Sequence, residues 1–232
     1  MKIQVMETDS HLTYQVSEVP EKYRTGLLHY SYDHNGGVFS KVFAKEQYMF
    51  PQDTATLATN VAAYLERMLN DTHGYTEMAW ETSLESVITA MDQHNIKWWL
   101  AGSAACAARG ISLSPQDLDI MTYKTEIRKI EQAFGQHAVE PFQHVADWVV
   151  KGFGVVYFNG RIDIAFEPEE TVDEYGRVDF GIYAMNHLET IHWRGHSLKV
   201  PPVELHILSN RRRKRTNRVQ LIEEYIAHRA EC

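Results

Sequence analysis

The chain has 232 residues, 44% of them hydrophobic and 23% charged, with 31 acidic against 23 basic side chains for a formal charge of −8. A chain of this size can bury a full hydrophobic core, it holds no run of about 18 apolar residues that would mark a membrane span, and its acidic balance argues against bulk binding of nucleic acid. Cys106 and Cys232 stand too far apart for a zinc knuckle or a disulfide framework, and Met1-Lys2-Ile3-Gln4 opens no apolar secretory stretch, so a reducing cytoplasm is the expected compartment.

In chain order, residues 2–7 and 12–19 read as strands. Residues 27–32 and 38–44 read as the two arms of a hairpin around Asp33-His34-Asn35-Gly36-Gly37. Pro51-Gln52-Asp53 opens a helix carrying Leu57, Val61, Leu65 and Met68 at helical spacing, and residues 70–75 form a connector. Beyond Glu77 helices and strands alternate. Thr82 caps a helix running to about Asn95, residues 97–101 are a short apolar strand, and Gly110 closes a small-residue helix over 103–109. Residues 116–122 are a strand and 125–134 an amphipathic helix. An Asn159-Gly160 turn joins strands over 153–158 and 161–166, a further β-pair covers 188–200, and the tail from Val203 is helical with a basic interruption near residue 211. These elements predict an α+β, mixed α/β fold with a short sheet flanked by helices, divided into a β-rich accessory region over 1–75 and a larger domain over 76–232.

The chemistry concentrates in Asp117-Leu118-Asp119-Ile120. Aspartate is depleted in strands, yet here two alternate with aliphatics, so both carboxylates fall on one face and Leu118 and Ile120 on the other. Ile162-Asp163-Ile164 repeats the pattern. If the two strands are neighbours, three carboxylates converge on one sheet face, where a hard divalent cation such as Mg²⁺ would offset their repulsion. Such alternation also occurs on merely solvated faces. Just upstream, Gly102-Ser103 breaks a strand into a helix, with Ser103 as the natural N-cap and Gly102 permitting close approach of a phosphate.

Together, Gly102-Ser103, Asp117-Leu118-Asp119 and Ile162-Asp163-Ile164 resemble the nucleotidyltransferase superfamily, and within it the stand-alone bacterial proteins akin to aminoglycoside and lincosamide nucleotidyltransferases. The resemblance implies the nucleotidyltransferase fold from Trp98 to the last helix. It also implies that Gly102 and Ser103 contact nucleotide phosphates and that Asp117 and Asp119 bind metal. Asp163 would either complete the metal site or act as base toward the acceptor hydroxyl. The implied activity is Mg²⁺-dependent transfer of a nucleoside monophosphate from a nucleoside triphosphate, ATP being favoured, to a hydroxyl of an unidentified, preferably small acceptor. The Arg-Asp pair of the tRNA-terminal branch is missing after the glycine, where alanines and Cys106 stand instead. The arginine-glycine pair at Arg109-Gly110 also comes later than in the aminoglycoside branch.

Several further features bear on partners. The run from Arg211 to Arg215 is the main basic cluster of an acidic chain, and Arg212 and Lys214 are the candidates to reach the triphosphate; a nucleic-acid contact or a solvated helix face are the other readings. Glu167, Glu169, Glu170, Asp173 and Glu174 could steer a cationic acceptor or simply be solvated. His187, His192 and His196 do not have metal-site spacing, Cys106 reads as a small buried residue, and Trp98 and Trp99 as strand core and rim. The alternative to an enzyme is a catalytically silent nucleotidyltransferase-fold module for nucleotide sensing or protein interaction, as in a toxin–antitoxin pair, with or without self-association.

Overall fold

A computed structural model describes residues 1–230; Cys232 lies outside the described residues. Two larger sheets, one two-stranded hairpin and eight α-helices make up the described residues; the main core reaches from Leu12 to Val200, with smaller clusters around Trp99 and around Cys106. No helix among the described residues is long and apolar enough to cross a membrane.

The N-terminal sheet is antiparallel in the order β1 (Lys2–Glu7), β2 (His11–Ser17), β4 (Val38–Ala44), β3 (Asp33–Asn35). The expected hairpin is present, but its first arm is β3. Gly36 and Gly37 turn the chain at φ +56° and +85°, a two-residue loop whose paired positive φ values fit the twist of the flanking strands. Residues 27–32 are not a strand: the chain there ends α1 (Glu21–His29), with Tyr23, Gly26 and Leu27 buried. Those positions follow helical spacing behind Pro20. The spacing becomes decisive only through packing on α2 (Thr54–Thr72), because a Cβ at Gly26 would press into the side chains of His73 and Leu69.

The main sheet has the order β5 (Trp98–Ala101), β6 (Leu118–Thr122), β9 (Arg161–Pro168), β8 (Val150–Tyr157), β7 (Ala138–His144). Only β6 and β9 run parallel. Strand β7, absent from the sequence expectations, contains Pro141 and shifts register against β8, as suits an edge strand. Its outer edge is covered by the N-terminal unit. Gln52 pairs with the Phe142 backbone in both directions, at 2.8 and 2.9 Å, and Met49 N–H donates to the Phe142 carbonyl at 3.0 Å. Tyr14 Oη donates to the buried Val139 carbonyl at 2.8 Å.

Helix α2 lays Leu57, Val61, Leu65, Met68 and Leu69 across this junction, its N-terminus capped by Asp53 accepting from Thr56 N–H at 2.9 Å. It continues to Thr72, past the point where a connector was expected. Helix α3 (Trp80–Gln93) starts two residues before Thr82, with Ala79 at the cap position. Helix α4 (Gly102–Ala108) likewise starts at Gly102 with Ala101 at its cap, so Ser103 lies inside the first turn and is not the cap. α5 (Ile127–Phe134), α6 (Ile182–Asn186), the hairpin β10 (Glu189–Trp193) and β11 (His196–Val200), then α7 (Leu205–Arg212) and α8 (Thr216–Ala230) complete the chain. The basic interruption is the turn between α7 and α8.

Because the Val139 carbonyl is buried, Tyr14→Phe leaves it unpaired and should destabilise the fold by about 1–2 kcal/mol. Urea unfolding would show a lower midpoint at unchanged slope; an unchanged midpoint would remove this bond from the docking of the two sheets.

Candidate active site

The parallel pairing of β6 with β9 sets Asp119 directly beside Asp163, and Leu118, Ile120, Ile162 and Ile164 alternate into the core below them. Strand β6 begins at Leu118, so Asp117 sits in the bend just before it. Asp117 nonetheless stays within electrostatic reach of the pair: its charge, like that of Asp163, acts on Asp119, and it also acts on Asp163.

Ala101 pairs with Asp119 across β5 and β6, which puts Gly102 under the Asp119 side chain. Gly102 has φ +61°, and a Cβ there would run into the Asp119 carboxylate, its Cγ lying 2.8 Å from the added atom. Glycine is required twice over, for the left-handed backbone and for the room. Ser103 follows in the first turn of α4, and the Gly102 amide itself donates to Asp179 Oδ2 at 3.2 Å.

The electrostatics of the two central carboxylates differ. Burial, then the charges of Asp117 and Asp163, push the Asp119 carboxyl well above the usual carboxylate range. Burial also raises Asp163, but Arg161 opposes it through two bonds, Nε to Oδ1 at 2.7 Å and Nη2 to Oδ2 at 3.1 Å. The buried Arg161 guanidinium lies 4.0 Å from the ring centre of Tyr30, at the end of α1. His29, next to Tyr30, is exposed and feels the charges of Arg161, Asp117, Arg215 and Asp163.

Above the acids lies the α7–α8 turn. The charges of Arg213 and Arg215 act on the acidic group: Arg213 on Asp119, and Arg215 with both Asp117 and Asp119. Arg212 points elsewhere, donating to the Tyr175 carbonyl at 2.8 Å, and Lys214 is exposed at φ +55°. In the acidic loop Asp173 accepts from the amides of Val178 and Tyr183 at 3.1 and 2.9 Å, Glu167 accepts from the Lys124 amide at 3.1 Å, and Glu174 is exposed. His187 stacks on Tyr183, with 3.9 Å between ring centres.

Among the described residues, no group of three or more His, Cys, Asp or Glu side chains is close enough to hold a metal ion unaided. The donor set fits a hard cation all the same, for Asp119 is a half-buried carboxylate crowded by like charges and has no ion-pair partner among the described residues. A Mg²⁺ ion characteristically takes one or two carboxylates and completes its shell with water and substrate phosphates.

Sequence reasoning missed Asp179, His206 and Ser209. Asp179 is buried and accepts from Gly102 N–H, from Ser209 Oγ, and from His206 Nδ1 at 3.1 Å. His206 and Ser209 are three apart on α7 and so share a face. That spacing was the available signal for them; Asp179, in an irregular loop, carried none.

With this geometry in hand, the comparisons with known proteins fall into place along the chain. A family model described as aminoglycoside-2''-adenylyltransferase matches residues 83–168, from α3 through β9. The match covers Gly102, Ser103, Asp117, Asp119 and Asp163, and leaves out the N-terminal sheet and the final helices. Comparison with curated protein sequences gives no match. Among solved structures, a Thermotoga maritima protein described as a nucleotidyltransferase is 13% identical, with a TM-score of 0.47 over 64% of this chain and 93% of its own. The antibiotic-resistance factor ANT(2'')-Ia, in its solution structure, is 11% identical with a TM-score of 0.47 over 65% and 86% of the two chains. Its crystal structure with adenylyl-2''-tobramycin is 13% identical with a TM-score of 0.41 over 65% and 91%. The motif resemblance read from the sequence therefore lies within the segment that the aminoglycoside-2''-adenylyltransferase model matches.

Proposed function

We propose that this protein is a nucleotidyltransferase, moving a nucleoside monophosphate from a nucleoside triphosphate, ATP in the first instance, to a hydroxyl of a small molecule. The observation that carries the reading is the register of Asp119 against Asp163, with Asp117 beside them and Gly102 beneath. A polar sheet face does not require two partly buried carboxylates side by side, since like charges directly opposite one another destabilise a sheet.

In the proposed reaction Asp117 and Asp119 would hold one or two Mg²⁺ ions. Bound there, the metal would supply charge stabilisation at the phosphates. The acceptor oxygen forms a bond to the α-phosphorus, the bond from that phosphorus to the bridging oxygen breaks, and pyrophosphate leaves with the electron pair. Asp163 takes the hydroxyl proton. Its carboxylate is oriented by Arg161, and burial raises its proton affinity, which suits a base. Ser103 and the first turn of α4 border the phosphate side, and the charge of Arg213 acts on Asp119 and that of Arg215 on Asp117 and Asp119. Both arginines join Arg212 and Lys214 as candidates for the triphosphate. An amino-sugar acceptor is the first class to test, because the matching family model is that of an aminoglycoside adenylyltransferase and an acidic segment, residues 167–174, runs from the end of β9 into the loop after it.

Purified protein given ATP, Mg²⁺ and a panel of hydroxylated acceptors that includes aminoglycosides should release pyrophosphate. Removal of Mg²⁺ with a chelator should abolish the release, and Asp119→Asn should lower it by about 10²–10³-fold without unfolding the protein. ATP binding without pyrophosphate release across the panel would favour the silent nucleotide-sensing module instead. Gly102→Ala should lose activity and, through its left-handed backbone alone, about 1–3 kcal/mol of stability; a fully active Gly102→Ala variant would contradict the placement of the Asp119 carboxylate over that residue.

A further inference from the structure

We propose that Asp179 and His206 are positioning residues: their buried ion pair holds Gly102 in place beneath Asp119 and ties that turn to the helix leading into Arg213 and Arg215. The inference rests on the nucleotidyl-transfer reading only for its activity readout.

One carboxylate joins three separate parts of the chain. Asp179, in the loop before α6, accepts from the Gly102 amide at 3.2 Å, from His206 Nδ1 at 3.1 Å, and from Ser209 Oγ. His206 is 1% exposed and Asp179 4%, so water does not substitute for any of these partners. A buried carboxylate has the lone pairs for three donors, whereas an amide in its place has one acceptor oxygen.

The ionic state is self-consistent. Burial works against the Asp179 charge, but His206, Ser209 and the Gly102 amide hold its carboxyl at about 2. Burial likewise opposes protonation of His206, and Asp179 overrides it, raising the imidazole to about 10, with the Cys106 thiol of α4 also facing the ring. Over the whole neutral range the pair is an ion pair, neutral in sum, at the back of a site with an excess of negative charge.

The position of this pair is what gives it consequence. Gly102 has no spare room on its other side, since the Asp119 carboxylate occupies the place of its missing Cβ. A shift of the Gly102 backbone therefore shifts the seat of Asp119. Helix α7, which carries His206 and Ser209, ends at Arg212, and the turn that follows carries Arg213 and Arg215, whose charges reach Asp119 and, for Arg215, Asp117 as well. The pair thus fixes the distance between the carboxylates and the arginines on either side of the proposed phosphate path. It touches neither substrate nor metal in this role.

The test uses the full chain, labelled with ¹⁵N, as wild type, Asp179→Asn, His206→Asn and Ser209→Ala. In Asp179→Asn, hydrogen exchange at the Gly102 amide should rise by at least about 10-fold, and the kcat for Mg²⁺-dependent pyrophosphate release should fall by about 10–100-fold with a smaller change in the KM for ATP. The His206 ring should stay protonated to about pH 10 in the wild type and titrate closer to the ordinary histidine range in Asp179→Asn. His206→Asn, whose amide nitrogen can stand in for Nδ1, should lose less than Asp179→Asn in both exchange protection and kcat. Ser209→Ala removes one donor and should show the same changes at smaller size, so the question remains decidable even if the other variants fail to fold. Unchanged Gly102 exchange in both Asp179→Asn and Ser209→Ala, or activity lost only in proportion to the folded fraction, would overturn the proposal. If the wild type releases no pyrophosphate with any acceptor, the functional reading fails, while Gly102 exchange and the His206 titration still decide this one.

Discussion

Two carboxylates facing each other across neighbouring parallel strands set the terms that the surrounding structure has to meet. Asp119 and Asp163 are forced together by register, because Leu118 with Ile162 and Ile120 with Ile164 must pair beneath them to fill the core. A slip of one residue would bury the acids and expose the isoleucines, so the apolar face locks the polar one. The repulsion that results is met unequally. Asp163 receives a two-point guanidinium contact; Asp119 is met by the longer-range charge of Arg213 and otherwise remains crowded.

The guanidinium contact brings the N-terminal unit into the account. Arg161 is buried, and a buried cation is tolerated only when its charge is matched and its faces are covered. Asp163 supplies the match, and the guanidinium sits over the Tyr30 ring, 4.0 Å from its centre. Tyr30 is itself fixed, its hydroxyl bonded to the Met68 carbonyl at 3.0 Å on α2 and its own carbonyl accepting from Lys41, which also pairs with Glu140 on β7 at 2.7 Å. The first sheet and α1 are thus part of the scaffold that orients Asp163. This is a role for residues that composition and spacing left without one, and it places exposed His29 at the rim of the same acidic centre.

What was legible in the sequence was local and periodic. Alternation in 118–122 and 161–166 named both acidic strands, and Asn159-Gly160 named the hairpin because a positive φ at Asn159 needs such a residue. Pro51-Gln52-Asp53 and the apolar spacing after them announced α2, which the structure shows capped by Asp53 through its immediate neighbours. Residues 27–32 misled because leucines and tyrosines there satisfy a strand pattern as well as a helical one, and the choice was made by packing of Gly26 against α2. Strand β7 was hidden by Pro141, acceptable only because its edge position spares the missing N–H. The site divided along the same line. Asp117, Asp119, Asp163 and Gly102 announced themselves by pattern. Asp179 did not, because its meaning lies in partners 77, 27 and 30 positions away in the chain.

The excess of negative charge in the composition takes on a different character once it is resolved residue by residue. Asp179 is neutralised by His206, Asp163 by Arg161, and Glu140 by Lys41, the first pair buried and the other two partly so, each fixed in direction. Asp117 and Asp119 have no counterpart of that kind among the described residues; their nearest cations, Arg213 and Arg215, come from a turn between two helices and act at longer range. When paired titratable groups sit in environments that push them apart, their chemical roles separate as well. A carboxylate held by a rigid guanidinium is oriented to take a proton from one direction, and carboxylates left with unmet charge are the ones a cation can stabilise. Under the proposed reaction the same asymmetry sorts Asp163 to the acceptor and Asp117 with Asp119 to the phosphates, and it follows from which carboxylate Arg161 reaches, two residues from Asp163 on the same strand.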